Sequence, residues 1–235
     1  MAIWKRFLDN FLDLFLADRC PLCDRPTSDV YRLCTSCSRG LQACQFSPAN
    51  QFYQDNLPVL VWGAYGGSLK QAIAAMKYEN HPQLAIPLGC WLAQAWLNSL
   101  KNTPTKSSQK KYAVVPIPMH PEKVKKRGFN QAELIAKSFC ETTGYPLRSH
   151  GLERIRKTTA QFGLSRQQRQ QNLAQAIALG KDFRRRQPTR SVLLLDDIYT
   201  TGATCSEAAK ALQKNHIPVA GILAIASSRT SPSTG

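Results

Sequence analysis

The stretch Ser191 to Cys205, SVLLLDDIYTTGATC, constrains the fold more than any other part of this chain, because an apolar run ends in two adjacent acids and a hydroxyl-and-glycine turn. Val192 to Leu195 has the length and apolar continuity of a strand buried on both faces, the pattern of a parallel sheet covered by helices. The acids then stand at its carboxyl end. In open α/β sheets ligands bind outside the strand ends, so Asp196 and Asp197 are expected to reach a crevice there and accept hydrogen bonds from sugar hydroxyls. Thr200, Thr201, Gly202, Ala203 and Thr204 follow, offering hydroxyls and backbone N–H groups at the start of a predicted helix, with Gly202 permitting a tight turn; a phosphate fits that position. Thr204 and Glu207 also match a capping box, T-x-x-E, which is compatible with the ligand role.

The 235 residues predict one main α/β domain with a small appendage. A formal net charge of +16, from 31 Lys and Arg against 15 Asp and Glu, points to an anionic partner: a phosphorylated substrate, a nucleic acid or a membrane surface. The cations cluster in KVKKR at 123–127, RIRK at 154–157, RQQR at 166–169 and KDFRRRQPTR at 181–190; solvated surface is the alternative for any one of them.

Cys20, Cys23, Cys34 and Cys37 form C-x2-C-x10-C-x2-C. Two close pairs on separate knuckles can direct four thiolates at one tetrahedral ion, and zinc is the expected occupant; a disulfide pair or redox dithiol is the alternative. Four protein thiolates make a closed site, hence a structural metal rather than a catalytic one. Cys44, Cys90, Cys140 and Cys205 are scattered and read as small hydrophobes.

Along the chain, residues 1–17 read as an amphipathic helix, with Trp4, Phe7, Leu8, Phe11 and Phe15 on one face and Arg6, Asp9 and Asp13 on the other. It is too short and too charged to span a bilayer; packing on the protein itself is favoured over a peripheral membrane or partner-binding role. Residues 18–45 are the metal knuckles, 46–57 a connecting segment, 57–228 the main domain and 229–235 a frayed tail. Within the main domain the patterns predict a strand at Val59 to Trp62, helices at Ser68 to Lys77 and Leu84 to Leu100, a flexible loop at Lys101 to Lys111, and a strand at Ala113 to Ile117. Pro116, Pro118 and Pro121 stiffen the exit from that strand, and Lys123, Lys125, Lys126 and Arg127 on the stiffened loop suit a diphosphate, with a basic surface turn as the alternative. Helix Gln131 to Cys140, a mobile cationic segment at 152–173, helix Thr204 to Asn215 and a final strand Val219 to Ala226 complete the domain, the last two closing a right-handed βαβ unit.

CPLC with CTSC, YGGSLKQAIAAMKY, VVPIPMHPEKVKKRGFNQAELIAK, RKTTAQFGLSRQQRQQN and VLLLDDIYTTGAT, in this order over nearly the whole chain, resemble the ComF family of competence-associated proteins. The resemblance implies a type I phosphoribosyltransferase-like α/β fold with an amino-terminal zinc element, and an association with DNA uptake. It implies that Asp196 and Asp197 hold the ribose of phosphoribosyl diphosphate (PRPP), that residues 200–204 take its 5-phosphate, and that Arg127, Gly128, Asn130 and Gln131 belong to the diphosphate loop. Arg156, Lys157 and Gln161 would lie on a mobile hood. Magnesium would arrive with PRPP, bridging diphosphate and ribose oxygens. Asp196 and Asp197 would then stabilise the cationic sugar, and Arg127 with the hood cations the departing diphosphate. The diphosphate loop is longer and richer in proline than the usual glycine turn of working transferases, and nothing in the sequence marks a nucleobase pocket. A cytosolic factor that holds single-stranded DNA, and an adaptor for other competence proteins with the sugar site as a sensor, are the competing functions. The expected location is cytoplasmic, with a peripheral membrane role left to the amino-terminal helix.

Overall fold

The computed structural model describes residues 19–27, 33–101, 112–156 and 176–228; the expectations for the amino-terminal helix, Lys157, Gln161, most of the 101–111 loop and the 229–235 tail lie outside the described residues. Five strands form one sheet: β1 (Gln45–Gln54), β2 (Leu57–Ala64), β3 (Tyr112–Pro116), β6 (Ser191–Tyr199) and β7 (Val219–Ser227), in the order β1-β2-β7-β6-β3. All neighbours are parallel except β1, which runs antiparallel to β2. A small antiparallel hairpin, β4 (Leu152–Arg154) with β5 (Ile177–Leu179), stands apart from it.

Period-two alternation explains why the parallel strands read as continuous apolar runs. Leu193 and Leu195 of β6, Leu223 and Ile225 of β7, and Leu60 and Trp62 of β2 face one layer; their neighbours Val192, Leu194, Ile222, Ala224, Val59 and Val61 face the other. The first layer is built by α2 (Gly67–Tyr78), α3 (Ala85–Lys101) and α5 (Gln131–Thr143), through Leu69, Ile73, Leu88, Leu92, Ile135 and Phe139. Across the sheet lie α7 (Ala203–Gln213), the β4–β5 hairpin and the short α6 (Lys181–Arg185), contributing Ala208, Leu212, Leu152, Ile177 and Phe183. Both faces of the central strands are therefore dry, and polar groups on them are tolerated only toward the strand ends.

Three local expectations are corrected. Residues 46–57 are not a connector: Gln45–Gln54 is a ten-residue edge strand, and its irregular register against β2 between Gln45 and Asn50 brackets Pro48, a residue sheets admit at edges and bulges. The Pro118–Gln131 loop contains a helix, α4 (Pro121–Arg127), started by proline at the first position and by His120, whose Nδ1 accepts from the Glu122 N–H at 3.3 Å, and stopped by Gly128 at φ 90°. The Thr204–Glu207 capping box is absent. Gly202 occupies the N-cap of α7 with no side-chain cap, and Glu207 instead pairs with Lys210 at 3.0 Å.

Among the described residues, the four-cysteine element shares the core of the main domain. Cys20, Leu33 and Leu41 belong to the same buried cluster as Leu69 and Ile73, and α1 (Thr35–Gln42) packs on α2 so closely that a Cβ on Gly40 would stand 2.9 Å from the Ser68 hydroxyl. No helix among the described residues is long and apolar enough to cross a membrane.

Candidate functional site

β6 carries its two acids to the carboxyl edge of the sheet while still extended, so its alternation sends them to opposite sides. Asp197 continues the Leu193–Leu195 face. It is buried at 4 % exposure, forms an ion pair with Lys77 of α2, and its Oδ1 accepts from the Gln131 side-chain N–H at 3.5 Å. Asp196 continues the Val192–Leu194 face and lines an open cleft of about 220 Å³ together with Lys77, Ile117, Lys123, Arg127, Arg154 and Thr204. Its Oδ1 accepts the backbone N–H of Asp197 at 2.9 Å. Burial, with the adjacent Asp197 charge, pushes the Asp196 carboxyl well above the ordinary range. Burial acts on Asp197 in the same direction, but the Lys77 ammonium overcomes it and holds that carboxyl below the ordinary range.

Thr200 to Cys205 enclose a shallow hollow that shares Asp196 and Thr204 with the cleft. Gly202 adopts φ 76°, and a Cβ there would lie 2.2 Å from the Tyr199 hydroxyl, so this turn accepts glycine alone. Tyr199 is fully buried beneath it, its ring edge-on to Phe52 of β1 at 5.4 Å. The Thr201 hydroxyl accepts from the Ala203 N–H at 3.4 Å, and with no side-chain cap the first N–H groups of α7 face the hollow's rim. Cys205 closes the hollow and is buried, and that burial chiefly pushes its thiol up.

The stiffened segment after β3 supplies the cationic wall. Asn130 caps α5 by accepting from the Ala132 N–H at 3.2 Å and donates to the Ile117 carbonyl at 3.0 Å, which fixes the end of β3 against the start of α5. Arg127 donates to the Gln131 side-chain oxygen, and its guanidinium lies 5.7 Å from the centroid of the Tyr78 ring. Burial, then the nearby Arg154 and Arg127 charges, lowers the Lys123 pKa, as in a site built to receive an anion. Of the diphosphate-loop residues, Arg127, Asn130 and Gln131 line the cleft, while Gly128 serves as the C-cap of α4. Of the hood residues, only Arg156 is described; it is exposed and stands outside the lining, where Arg154 of β4 is present instead.

Lys77 and Tyr78 are members of the site that the sequence did not single out, and Arg154 joins it from the RIRK cluster, which the sequence marked only as basic. A signal for Lys77 exists: it stands four and eight residues after Ile73 and Leu69, a lone cation in line with the core stripe of α2. A second cavity of about 540 Å³ adjoins the cleft, sharing Lys77, Tyr78, Lys123 and Arg127 and adding Met76, Asn80, Lys126 and Phe129. A larger hollow of about 630 Å³ between β5 and α7 is lined mainly by aliphatic groups such as Ile155, Ile177 and Leu179, and its Glu207 and Lys210 already pair with each other.

The four thiols of Cys20, Cys23, Cys34 and Cys37 converge, every Sγ lying within 4.8 Å of the others. A zinc ion with bonds of about 2.3 Å to sulfur sets tetrahedral sulfur–sulfur edges of roughly 3.8 Å, so the donor set fits zinc. Cys34 is the N-cap of α1, and the Cys37 N–H pointing at its sulfur brings its thiol down to about 7. Burial chiefly pushes the Cys37 thiol up.

Fold and site together define an α/β protein with a mostly parallel, doubly covered sheet, a basic cleft at its carboxyl edge and, packed on its core, a four-cysteine element whose thiols fit zinc. No protein-family model matches the chain. It is 35% identical over 102 residues to Competence protein F of Haemophilus influenzae, a match covering 43% of this chain and 44% of that protein. It is 27% identical over 202 residues to DNA utilization protein YhgH of Salmonella typhimurium, covering 83% and 84%, and 27% identical over 194 residues to Competence protein ComFC of Bacillus subtilis, covering 82% and 70%. These similarities support membership of the ComF family.

Proposed function

We infer that this protein binds a ribose 5-phosphate unit carrying a diphosphate, with PRPP as the fitting ligand, and that it serves competence or DNA utilisation, the words its relatives' names carry; DNA uptake and a cytoplasmic location belong to the same reading. One observation supports this above the others: Asp196 and Thr204 belong at once to the basic cleft and to the threonine-lined hollow, so a carboxylate, a phosphate cradle and a cationic wall border one continuous space. In this reading the acid pair meets the pentose through Asp196, residues 200–204 take the 5-phosphate, and Lys123, Arg127 and Arg154 face the diphosphate. Asp196 is the one carboxylate lining the cleft among the described residues, so Mg²⁺ would arrive bound to ligand oxygens, where it would neutralise diphosphate charge. Zinc would sit in the four-cysteine element as a structural ion.

The chemistry that fits is phosphoribosyl transfer. The anomeric C–O bond breaks, diphosphate leaves with the electron pair, and a nitrogen nucleophile forms the new bond to carbon while losing a proton to solvent. Asp196 would stabilise the cationic sugar, and Arg127 with Lys123 the leaving diphosphate. Calorimetry with PRPP and Mg²⁺ tests the reading: the parent chain binds and Asp196→Asn loses at least about tenfold in affinity. A parent chain that takes up no PRPP at saturating concentration overturns it.

A second reading, a single-stranded DNA-binding factor, draws on the adjoining cavity. Tyr78 is 78% exposed there, close to Phe129, with Lys123, Lys126 and Arg127 around it, which is the combination of stacking surface and cations that a single strand uses. Oligonucleotide binding that falls steeply with salt and is lost in Tyr78→Ala supports it; salt-independent binding, or none, excludes it.

A further inference from the structure

We propose that the buried Asp197 acts as the anchor of a relay, Lys77–Asp197–Gln131–Arg127, that holds the Arg127 guanidinium at the cleft; Lys77 and Gln131 are positioning residues. The inference rests on the ligand reading above for its consequence, though not for its geometry.

The chemistry of the four groups permits one arrangement. Lys77 only donates and Asp197 only accepts, and they form an ion pair in which their side chains are 16% and 6% exposed. Arg127 likewise only donates. Between the Asp197 carboxylate and the Arg127 guanidinium stands Gln131, 8% exposed, which offers its N–H to Asp197 at 3.5 Å and its oxygen to Arg127. A glutamine reversed end for end would turn oxygen to carboxylate and N–H to guanidinium, so charge on both sides fixes the amide's orientation. Glutamate in its place would face a carboxylate, and lysine could accept nothing from Arg127. Gln131 sits at the first position of α5, where the Asn130 cap and the Asn130 bond to Ile117 hold the helix end. The next residue on α2 completes the clamp, because Tyr78 carries its ring beneath the same guanidinium. Two consecutive residues at the end of α2 thus fix Arg127, one through the relay and one through ring contact. The alternation of β6 gives Asp197 this role and leaves Asp196 to face the cleft.

The test uses the full chain. Arginine Nε–Hε resonances are recorded for the parent and for Gln131→Leu, Lys77→Met and Lys77→Arg. The Arg127 signal is expected to be dispersed in the parent, to move to the position of a solvent-exposed arginine in Gln131→Leu and Lys77→Met, and to stay in place in Lys77→Arg. Lys77→Met leaves a carboxylate buried without its partner; should that variant fail to fold, Gln131→Leu, which removes no charge, decides. In calorimetry with PRPP, Lys77→Met and Arg127→Met each weaken binding about tenfold, while the double variant loses no more than Arg127→Met alone. An Arg127 signal unmoved by Gln131→Leu, or losses that multiply to about a hundredfold as independent ligand contacts require, overturns the relay. A parent chain that ignores PRPP removes the ligand reading, and the resonances still decide the relay.

Discussion

Asp196 and Asp197 are neighbours of identical chemistry, and the extended backbone places them in opposite electrostatic settings. Asp196, raised by burial and by Asp197, holds its proton more tightly folded than unfolded, so its contribution favours folding at acid pH and is lost as pH rises through its folded value. Asp197, held down by Lys77 against burial, contributes in the reverse sense: present above the ordinary carboxyl range, lost as pH falls through its folded value. Asp196→Asn is therefore expected to raise the melting temperature of the ligand-free protein more at pH 8 than at pH 5. Asp197→Asn leaves Lys77 buried and unpaired and is expected to cost about 3–5 kcal/mol. Thermal melts at the two pH values check both signs, and equal effects from the two substitutions would refute this division. Gly202→Ala is expected to cost about 1–3 kcal/mol, because it forces a left-handed φ and drives Cβ into the Tyr199 hydroxyl. Denaturant unfolding measures that cost.

Among the elements, α5 delivers most of the cationic wall's support, and its depth is set by α3. A Cβ on Gly89 would stand 2.5 Å from the Ile135 carbonyl oxygen and 2.6 Å from Ser138 Cβ, so the two helices meet backbone to backbone. Gly89→Leu is expected to cost about 3 kcal/mol or more and to weaken PRPP binding with it, since Gln131 moves with α5; unfolding curves and calorimetry on one sample separate the two effects. At this scale the sequence was informative wherever period and composition were local. The apolar run of β6, the α2 and α3 patterns and the Gly202 turn are all legible because each depends on near neighbours in the chain. β1 was not, because Pro48 and the surrounding amides oppose a central strand, and only the pairing with β2 shows it to be an edge. The basic stretch at 123–127 likewise became a helix through His120 and Pro121 at its start, capping that its run of cations hides.

Across the described residues, the four-cysteine element and the cleft share a core. Cys20, Leu33 and Leu41 pack with Leu69 and Ile73 of α2, and α2 ends in Lys77 and Tyr78 at the cleft. Stripping the metal with a chelator is accordingly expected to lower the melting temperature by at least about 5 °C and to broaden the Arg127 resonance, two readouts joined by one helix. A melting temperature unchanged by chelation, in protein shown to have carried metal, would remove the structural role of the thiols. Part of the +16 charge is gathered at the cleft, where Lys77, Lys123, Arg127 and Arg154 surround the single lining carboxylate among the described residues.

The sequence by itself determined the order of strand, acid pair, threonine turn and helix, and the four-thiol spacing, because these rest on covalent adjacency and on periods of two and 3.6 residues. The tertiary structure alone decided which acid faces the cleft, that Lys77 neutralises the other across 120 positions of chain, and that Gln131 joins that second acid to Arg127. Those choices depend on how helices and strands distant in sequence stack at one sheet edge, and desolvation there turns an ordinary lysine into an obligatory partner.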